Sequence, residues 1–264
     1  MNLDIRDILD DWPYEPGQVT ARKIRGHDGK DKIQMRLDLG LLQMEATGRP
    51  DGLRPHGFES LLDYHEHCLE QHRLHRSGED DYELDSQACE SLRTESVMFY
   101  HRYLAEYVLE DFEGVERDTI RNLRLMDFCL RYAKEPLDKY ILEQYRPYVL
   151  MMRARARSRK ALRDGDPKAA MSAVRRGIHE IQALRSFGRE GMSDGSGEIA
   201  VLQAMAKDIE AQIPVDPIRK LRHALAEAVR QENYEEAAAI RDRINQAVAE
   251  KRVRDSQETK PKGA

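Results

Sequence analysis

Cysteine, tryptophan and long apolar runs are what these 264 residues have least of. Cys68, Cys89 and Cys129 are odd in number and show no CxxC spacing, which excludes a disulfide framework and a cysteine zinc knuckle and fits a reducing compartment. The longest apolar stretches, such as Tyr148 to Met152, fall far short of the roughly 18 residues a bilayer crossing takes, so no membrane span is expected. Aromatic residues make up 6% of the chain and hydrophobic ones 40%, against 34% charged, a balance that favours charged helices over a β-sandwich or a large α/β core. The charges nearly cancel: 43 basic and 48 acidic side chains leave −5, which argues against bulk attraction to nucleic acid. The opening MNLDIRDILDDW sets acids where a secretory signal needs a basic and then an apolar region, so a cytoplasmic location is expected.

Catalytic and metal-binding patterns are equally scarce. No Gly-x4-Gly-Lys-Ser/Thr phosphate loop occurs, and no triad or pair of catalytic carboxylates can be assembled. Gly191-Met192-Ser193-Asp194-Gly195 spells a nucleophile elbow, but that elbow needs a strand before it and the preceding residues read as a helix end. His65, Cys68 and His72 share a helix face, yet the run His-Glu-His-Cys lacks metalloprotease spacing and reads as capping or solvated histidines with a core cysteine. No enzyme, cofactor or metal is therefore expected.

What is present is mainly helix. A short amphipathic helix is predicted from Leu3 to Trp12, closed by Pro13 and Pro16. Alternation at Val19, Ala21, Ile33, Met35, Leu37 and Leu39, with a turn at Gly26 to Gly29, predicts a small β-meander. Gly40 is read as a bulge or bend before Leu42 to Ala46. The expected modules are a β-rich unit over 1–55, a helical-hairpin array over 56–187, a flexible linker over 188–197, a connecting helix over 198–213, a final hairpin over 214–250 and a disordered tail over 251–264. Within the array, Ala88 to Leu109 turns into Val115 to Tyr132, and Pro136 to Leu162 turns into Lys168 to Leu184. The two turns match at an offset of fifty-three, Asp111 to Asp164 and Glu113 to Asp166, in a layout that resembles tetratricopeptide hairpins without their Trp-Leu-Gly-Tyr signature. Phe99, Tyr100, Tyr103 and Tyr107 recur at helical spacing and are read as packing residues.

The most informative segment is PIRKLRHALAEAVRQENYEEAAAIRDRINQAV, residues 217 to 248. Leu221, Ala224, Leu225, Ala228 and Val229 form the apolar stripe of a first helix, Gln231-Glu232-Asn233 reverses the chain, and Tyr234, Ala237, Ala238, Ile240, Arg241 and Ile244 mark the facing side of a second. A hairpin of about thirty residues is shorter than the roughly forty at which a chain holds itself folded without help, so its stripe needs a cover. The core Glu-Asn-Tyr-Glu-x-Ala-Ala-x-Ile-Arg-Asp-x-Ile resembles the UVR motif, the short hairpin of the excision-repair helicase UvrB and its nuclease partner UvrC, which recurs in Clp-type chaperone ATPases and the adaptor McsA. The resemblance implies protein docking by hairpin pairing, through Leu221, Leu225, Tyr234, Glu235, Ala237, Ala238, Arg241 and Ile244. The engines that accompany the motif elsewhere, a phosphate loop, cysteine knuckles or a GIY-YIG nuclease signature, are missing from this sequence.

Arg153, Arg155, Arg157, Arg159, Lys160 and Arg163 form the densest basic run, on a helix whose other side is apolar. It carries no interleaved aromatics, and the acids from Glu79 to Asp85 are available to neutralise it. The leading expectation is a bacterial cytoplasmic adaptor or scaffold that docks a Clp-type ATPase, an excision-repair component or a second copy of itself. The alternative is a nucleic-acid-associated factor using Arg153, Arg155, Arg157, Arg159 and Lys160.

Overall fold

The computed structural model describes residues 4–75, 81–185, 195–213 and 217–258. The chain divides into two compact units, Met1–Glu210 and Ala211–Ala264. The first holds helix α1 (Arg6–Leu9), strands β1 (Ala21–Arg25), β2 (Asp31–Arg36) and β3 (Leu41–Glu45), and helices α2 (Leu61–His75), α3 (Ser86–Val108), α4 (Phe112–Tyr132), α5 (Pro136–Tyr140), α6 (Arg146–Arg163) and α7 (Pro167–Arg185), with nearly all of α8 (Ser196–Gln212). The expected architecture holds: a three-stranded antiparallel sheet in the order β1-β2-β3, then helices. The nucleophile-like run at 191–194 and most of the expected linker lie outside the described residues.

The alternation in β2 does what a half-buried strand requires. Ile33 and Met35, with Met44 on β3, form a buried apolar face that is closed by Ala105 of α3. The opposite face is polar but covered: the Gln34 side chain accepts from Arg22 at 2.7 Å and donates to Gln43 at 2.9 Å, while the Lys32 ammonium donates to Asp28 at 2.7 Å and to Glu45. Of the two readings of Gly40, bulge or bend, the structure has the bend. Leu41 of β3 pairs directly with Arg36 of β2, so residues 37–40 form a hairpin loop, and the Arg36 guanidinium holds it by donating to the carbonyls of Leu37 and Gly40 and, across the chain, to that of Trp12.

Two expected helices are shorter than the pattern suggests. The first covers only Arg6–Leu9, buries no residue and leaves Ile5 and Ile8 exposed. The helix expected from Pro136 to Leu162 breaks into α5, a 3-10 turn at Glu143–Tyr145 and α6, with Pro147 in the first turn of α6. A proline ring there has no N–H to give and would strike the carbonyl of residue 143 if the helix ran through. The buried Glu143 carboxylate accepts two bonds from Arg146, at 2.9 and 2.6 Å, and stabilises the break.

α3 packs antiparallel on α4, α4 on α6, and α6 on α7. Small residues set the last crossing: a Cβ on Gly177 would stand 2.4 Å from the Ala154 Cβ and 3.2 Å from a Leu202 methyl, so α6, α7 and α8 meet at that glycine. Both hairpins of this unit turn the same way. α3 ends at Glu110 in the left-handed region (φ 58°), where Glu110 N–H donates to Tyr107 O and Asp111 N–H to Glu106 O; the Asp111 carboxylate then caps α4 by accepting from Gly114 N–H. α6 ends at Gly165 (φ 77°), with the Gly165 N–H donating to Leu162 O and the Asp166 N–H to Ala161 O, and Asp166 caps α7 through Ala169 N–H at 2.9 Å. The equivalent residues are therefore Asp111 and Asp166, two positions away from the offset read from the sequence.

The sheet is fastened to the helices by one buried side chain. Arg102 of α3, 1% exposed, grips the Asp118 carboxylate of α4 through Nε at 2.6 Å and Nη2 at 2.9 Å, and its Nη1 donates to the carbonyls of Glu45 and Gly48 at 3.0 and 2.7 Å. Arg117 closes the cluster, donating to Asp118 at 2.8 Å and to Glu106 at 2.5 Å. Burial, reinforced by the Asp118 carboxylate, pushes the Glu106 carboxyl up to about 8, against the opposing pull of Arg117 and Arg102. Gly114 makes room for it, since a Cβ there would come within 2.5 Å of the Glu106 carboxyl carbon.

Two predictions follow from this cluster. Arg102→Met takes the bidentate partner from buried Asp118, leaving it only Arg117, and should lower the unfolding free energy in urea by about 3 kcal/mol while exposing 21–50 to limited proteolysis. Glu106 binds its proton more tightly folded than unfolded, so its stabilising effect is complete below its ordinary pKa of 4.5 and is lost as pH rises through about 8. Denaturant titrations between pH 5 and 8 should show stability falling by up to about 1.4 kcal/mol per pH unit, and Glu106→Gln should flatten that slope.

Candidate protein-docking site

The second unit is built on a helical hairpin, α9 (Pro217–Arg230) and α10 (Tyr234–Glu258). Its turn repeats the two above. Glu232 takes the left-handed conformation (φ 55°), its N–H donates to Val229 O at 3.1 Å, and the Asn233 N–H reaches back to Ala228 O at 2.9 Å. Asn233 then caps α10: its side-chain oxygen accepts from Glu236 N–H at 3.3 Å, and its amide donates to the Glu236 carboxylate at 2.8 Å. The run Glu-Asn-Tyr-Glu-Glu is thus a helix stop and a helix start with no residue between them.

Ala228 of α9 with Ala237 and Ile240 of α10 are buried, and Leu221, Leu225 and Ile244 pack against them half-exposed. Alanine at facing positions lets the two backbones approach closely, at the cost of a small core. Residues 216–250 match the family model of the UvrB/uvrC motif, UVR. The match covers α9 and α10 as far as residue 250 and leaves the first unit untouched. No curated protein and no solved structure matches the chain. The UVR motif is found in excision-repair and protein-interaction settings.

The eight residues predicted for docking divide into two groups. Ala237 is buried and Leu221, Leu225 and Ile244 lean on the hairpin's own core, so these four hold α9 to α10. Tyr234, Glu235, Ala238 and Arg241 are exposed. Tyr234, Ala238 and Arg241 lie four and three residues apart, on one face of α10, and Tyr234 is 68% exposed. The sequence pattern had set all of Tyr234, Ala237, Ala238, Ile240, Arg241 and Ile244 on the side facing α9; the close approach at Ala237 narrows the buried stripe and turns the other edge outward. Val229, also read as stripe, is 50% exposed at the end of α9 beside the turn. α10 continues to Glu258, eight residues past the boundary drawn at 250.

The basic run on α6 is placed differently from the expectation. Arg153 pairs with Glu180 of α7 at 2.9 Å, Arg157 with Glu116 of α4 at 2.7 Å, and Lys160 and Arg163 share Glu113 at 3.1 and 3.0 Å. Arg155 lies over the Tyr107 ring, 4.5 Å from its centroid, and Arg159 is exposed. The neutralising acids come from the helices on either side of α6 and not from the stretch before α3, where Asp85 caps α3 and Glu83 faces Lys134. Val149, Met152, Ala156 and Ser158 are buried as well, because α6 is sandwiched between α4 and α7 and has no whole side left for phosphates.

His65 and His67 of α2, and His56 in the 3-10 turn Pro55–Gly57 before it, are held in aromatic contacts. His56 stacks on Tyr64 at 4.1 Å, His67 tilts against Phe58 at 5.1 Å, and His65 Nδ1 lies 3.3 Å from the Tyr82 hydroxyl. Among the described residues no three His, Cys, Asp or Glu side chains come together as a metal would need.

The turn can be tested directly. A non-glycine residue in the left-handed region costs about 1–2 kcal/mol, part of which glycine gives back through its freer unfolded chain. Glu232→Gly should therefore stabilise the hairpin by roughly 0.5–1 kcal/mol, and Asn233→Ala should weaken it by about 1 kcal/mol, both read from helical circular dichroism on heating.

Proposed function

We propose that this protein is a non-enzymatic adaptor whose UVR hairpin docks a second copy of the same chain, pairing two hairpins into a four-helix bundle. The observation that carries this reading is the size of the hairpin core: among its described residues two alanines and one isoleucine are buried, while the aromatic side chain of Tyr234 stands open on α10. Fully burying an aliphatic side chain contributes about 1.5–3 kcal/mol, so this core cannot offset the ordering of some forty residues without further cover. Tyr234 and Arg241 belong to the residue types that anchor interfaces, and Ala238 between them permits close helix contact. Pairing of like hairpins is self-complementary and needs no second gene product. Partners with their own UVR-type hairpin, such as excision-repair components or Clp-type ATPases, would use the same face. The ion pairs along α6 give no support to a nucleic-acid role.

Light scattering of the full chain at micromolar concentration should give twice the chain mass, and Tyr234→Asp combined with Arg241→Asp should return it to one chain mass with the thermal melt of the first unit retained. A wild-type protein of single mass, or a double variant that keeps the doubled mass, overturns the proposal.

A further inference from the structure

Tyr100 and Tyr103 do more than pack. With Tyr148 of α6 and Tyr145 of the 3-10 turn they wall a cavity of about 500 Å³ in the first unit, a volume in the range of small-molecule sites. The rings meet at steep angles and do not stack: Tyr100 and Tyr103 are 5.5 Å apart at 89°, Tyr100 and Tyr148 6.2 Å apart at 57°. Met126 of α4 and Val149 of α6 give the cavity an apolar floor, Ser96, Asn122 and Gln144 add neutral polar groups, and among the described residues no lysine, arginine or histidine lines the space. Glu198, in the first turn of α8, is the one carboxylate among the cavity's described lining residues. We infer that this cavity binds a small organic cation carrying an alkylated ammonium group, held by the faces of the tyrosine rings and the Glu198 carboxylate.

The chemistry follows from the lining. An aromatic ring offers negative charge at its face, and walls set at an angle to one another present several faces to one centre. An alkylated ammonium keeps its charge while shedding water easily, so an apolar floor does not penalise it as it would a bare ammonium. Burial raises the phenols of Tyr103 and Tyr148 above their ordinary range, so both stay neutral and keep the polar ring intact at physiological pH. The same row of tyrosines already holds a cation elsewhere: one helical turn past Tyr103, the Arg155 guanidinium sits on the face of Tyr107. Tyr145, 54% exposed, stands at the rim where a ligand enters.

Choline and its neutral isostere 3,3-dimethylbutan-1-ol separate charge from shape. Calorimetric or NMR titration of the full chain should show saturable binding of choline in the millimolar range or tighter and none of the alcohol. Glu198→Gln and Tyr145→Leu should each weaken choline about tenfold, with thermal melts unchanged. If Tyr145→Leu disturbs the fold, Glu198→Gln still tests the charge, because it keeps the side-chain shape. The proposal fails if choline does not saturate, if the alcohol binds as well as choline, or if both variants bind choline unchanged.

Discussion

One guanidinium ties the first unit together. Arg102 spends its donors on a carboxylate of the neighbouring helix and on two carbonyls that follow the last strand, so the position of the sheet, the spacing of α3 and α4 and the ionic state of Glu106 all depend on it. Its planar fork suits this task, because two nitrogens can match Asp118 while the third turns toward the backbone. A lysine would supply the charge without the geometry. The neighbouring cluster follows the same logic: Glu95, fully buried, accepts the backbone N–H groups of Leu61 and Leu62 at the start of α2 and pairs with Arg121 of α4, whose guanidinium lies 4.0 Å from the Phe99 ring centroid. Polar side chains therefore specify where α2, the sheet and α4 meet α3, and apolar ones fill the space between.

The UVR hairpin is held by a different balance. Its helices come close because alanines allow it, and the small core that results leaves Tyr234 and Val229 in the open. The first unit draws on buried ion pairs, a covered sheet and buried aromatic side chains; the hairpin has none of these among its described residues, which is the physical ground for expecting its stability to depend on a companion.

How much of this could be read beforehand varied with the kind of interaction. Alternation placed Ala21, Ile33 and Met35 in strands, but it ran on through Leu37 and Leu39, which lie in the hairpin loop, because period two alone does not mark where a strand turns. The hairpin was legible because a helix stop and a helix start lie side by side in Gln231 to Tyr234. The break before Pro147 was hidden by the strong helical character of the residues around it, although the proline itself was the signal. Arg102, Glu106 and Asp118 were illegible, since charged residues read as surface until a fold brings opposite charges together. The exposed and buried faces of α10 could not be separated for a related reason: the arc that meets α9 depends on how closely the two helices approach, and that distance is set by the pairing of Ala228 with Ala237. The tyrosine row was visible in α3, but its partners Tyr145, Tyr148 and Glu198 lie on three later segments that only tertiary structure assembles.

The corner shared by the three hairpins has a consequence for how the chain can change. In each, the residue that completes the end of one helix is also the cap of the next, at Asp111, Asp166 and Asn233. Such a joint contains no slack. One added residue would wind the second helix round by about 100° and carry its inward side chains to the outside. The corners thus fix rotational phase as well as direction, and any lengthening that preserves the packing has to occur between hairpins and not within them.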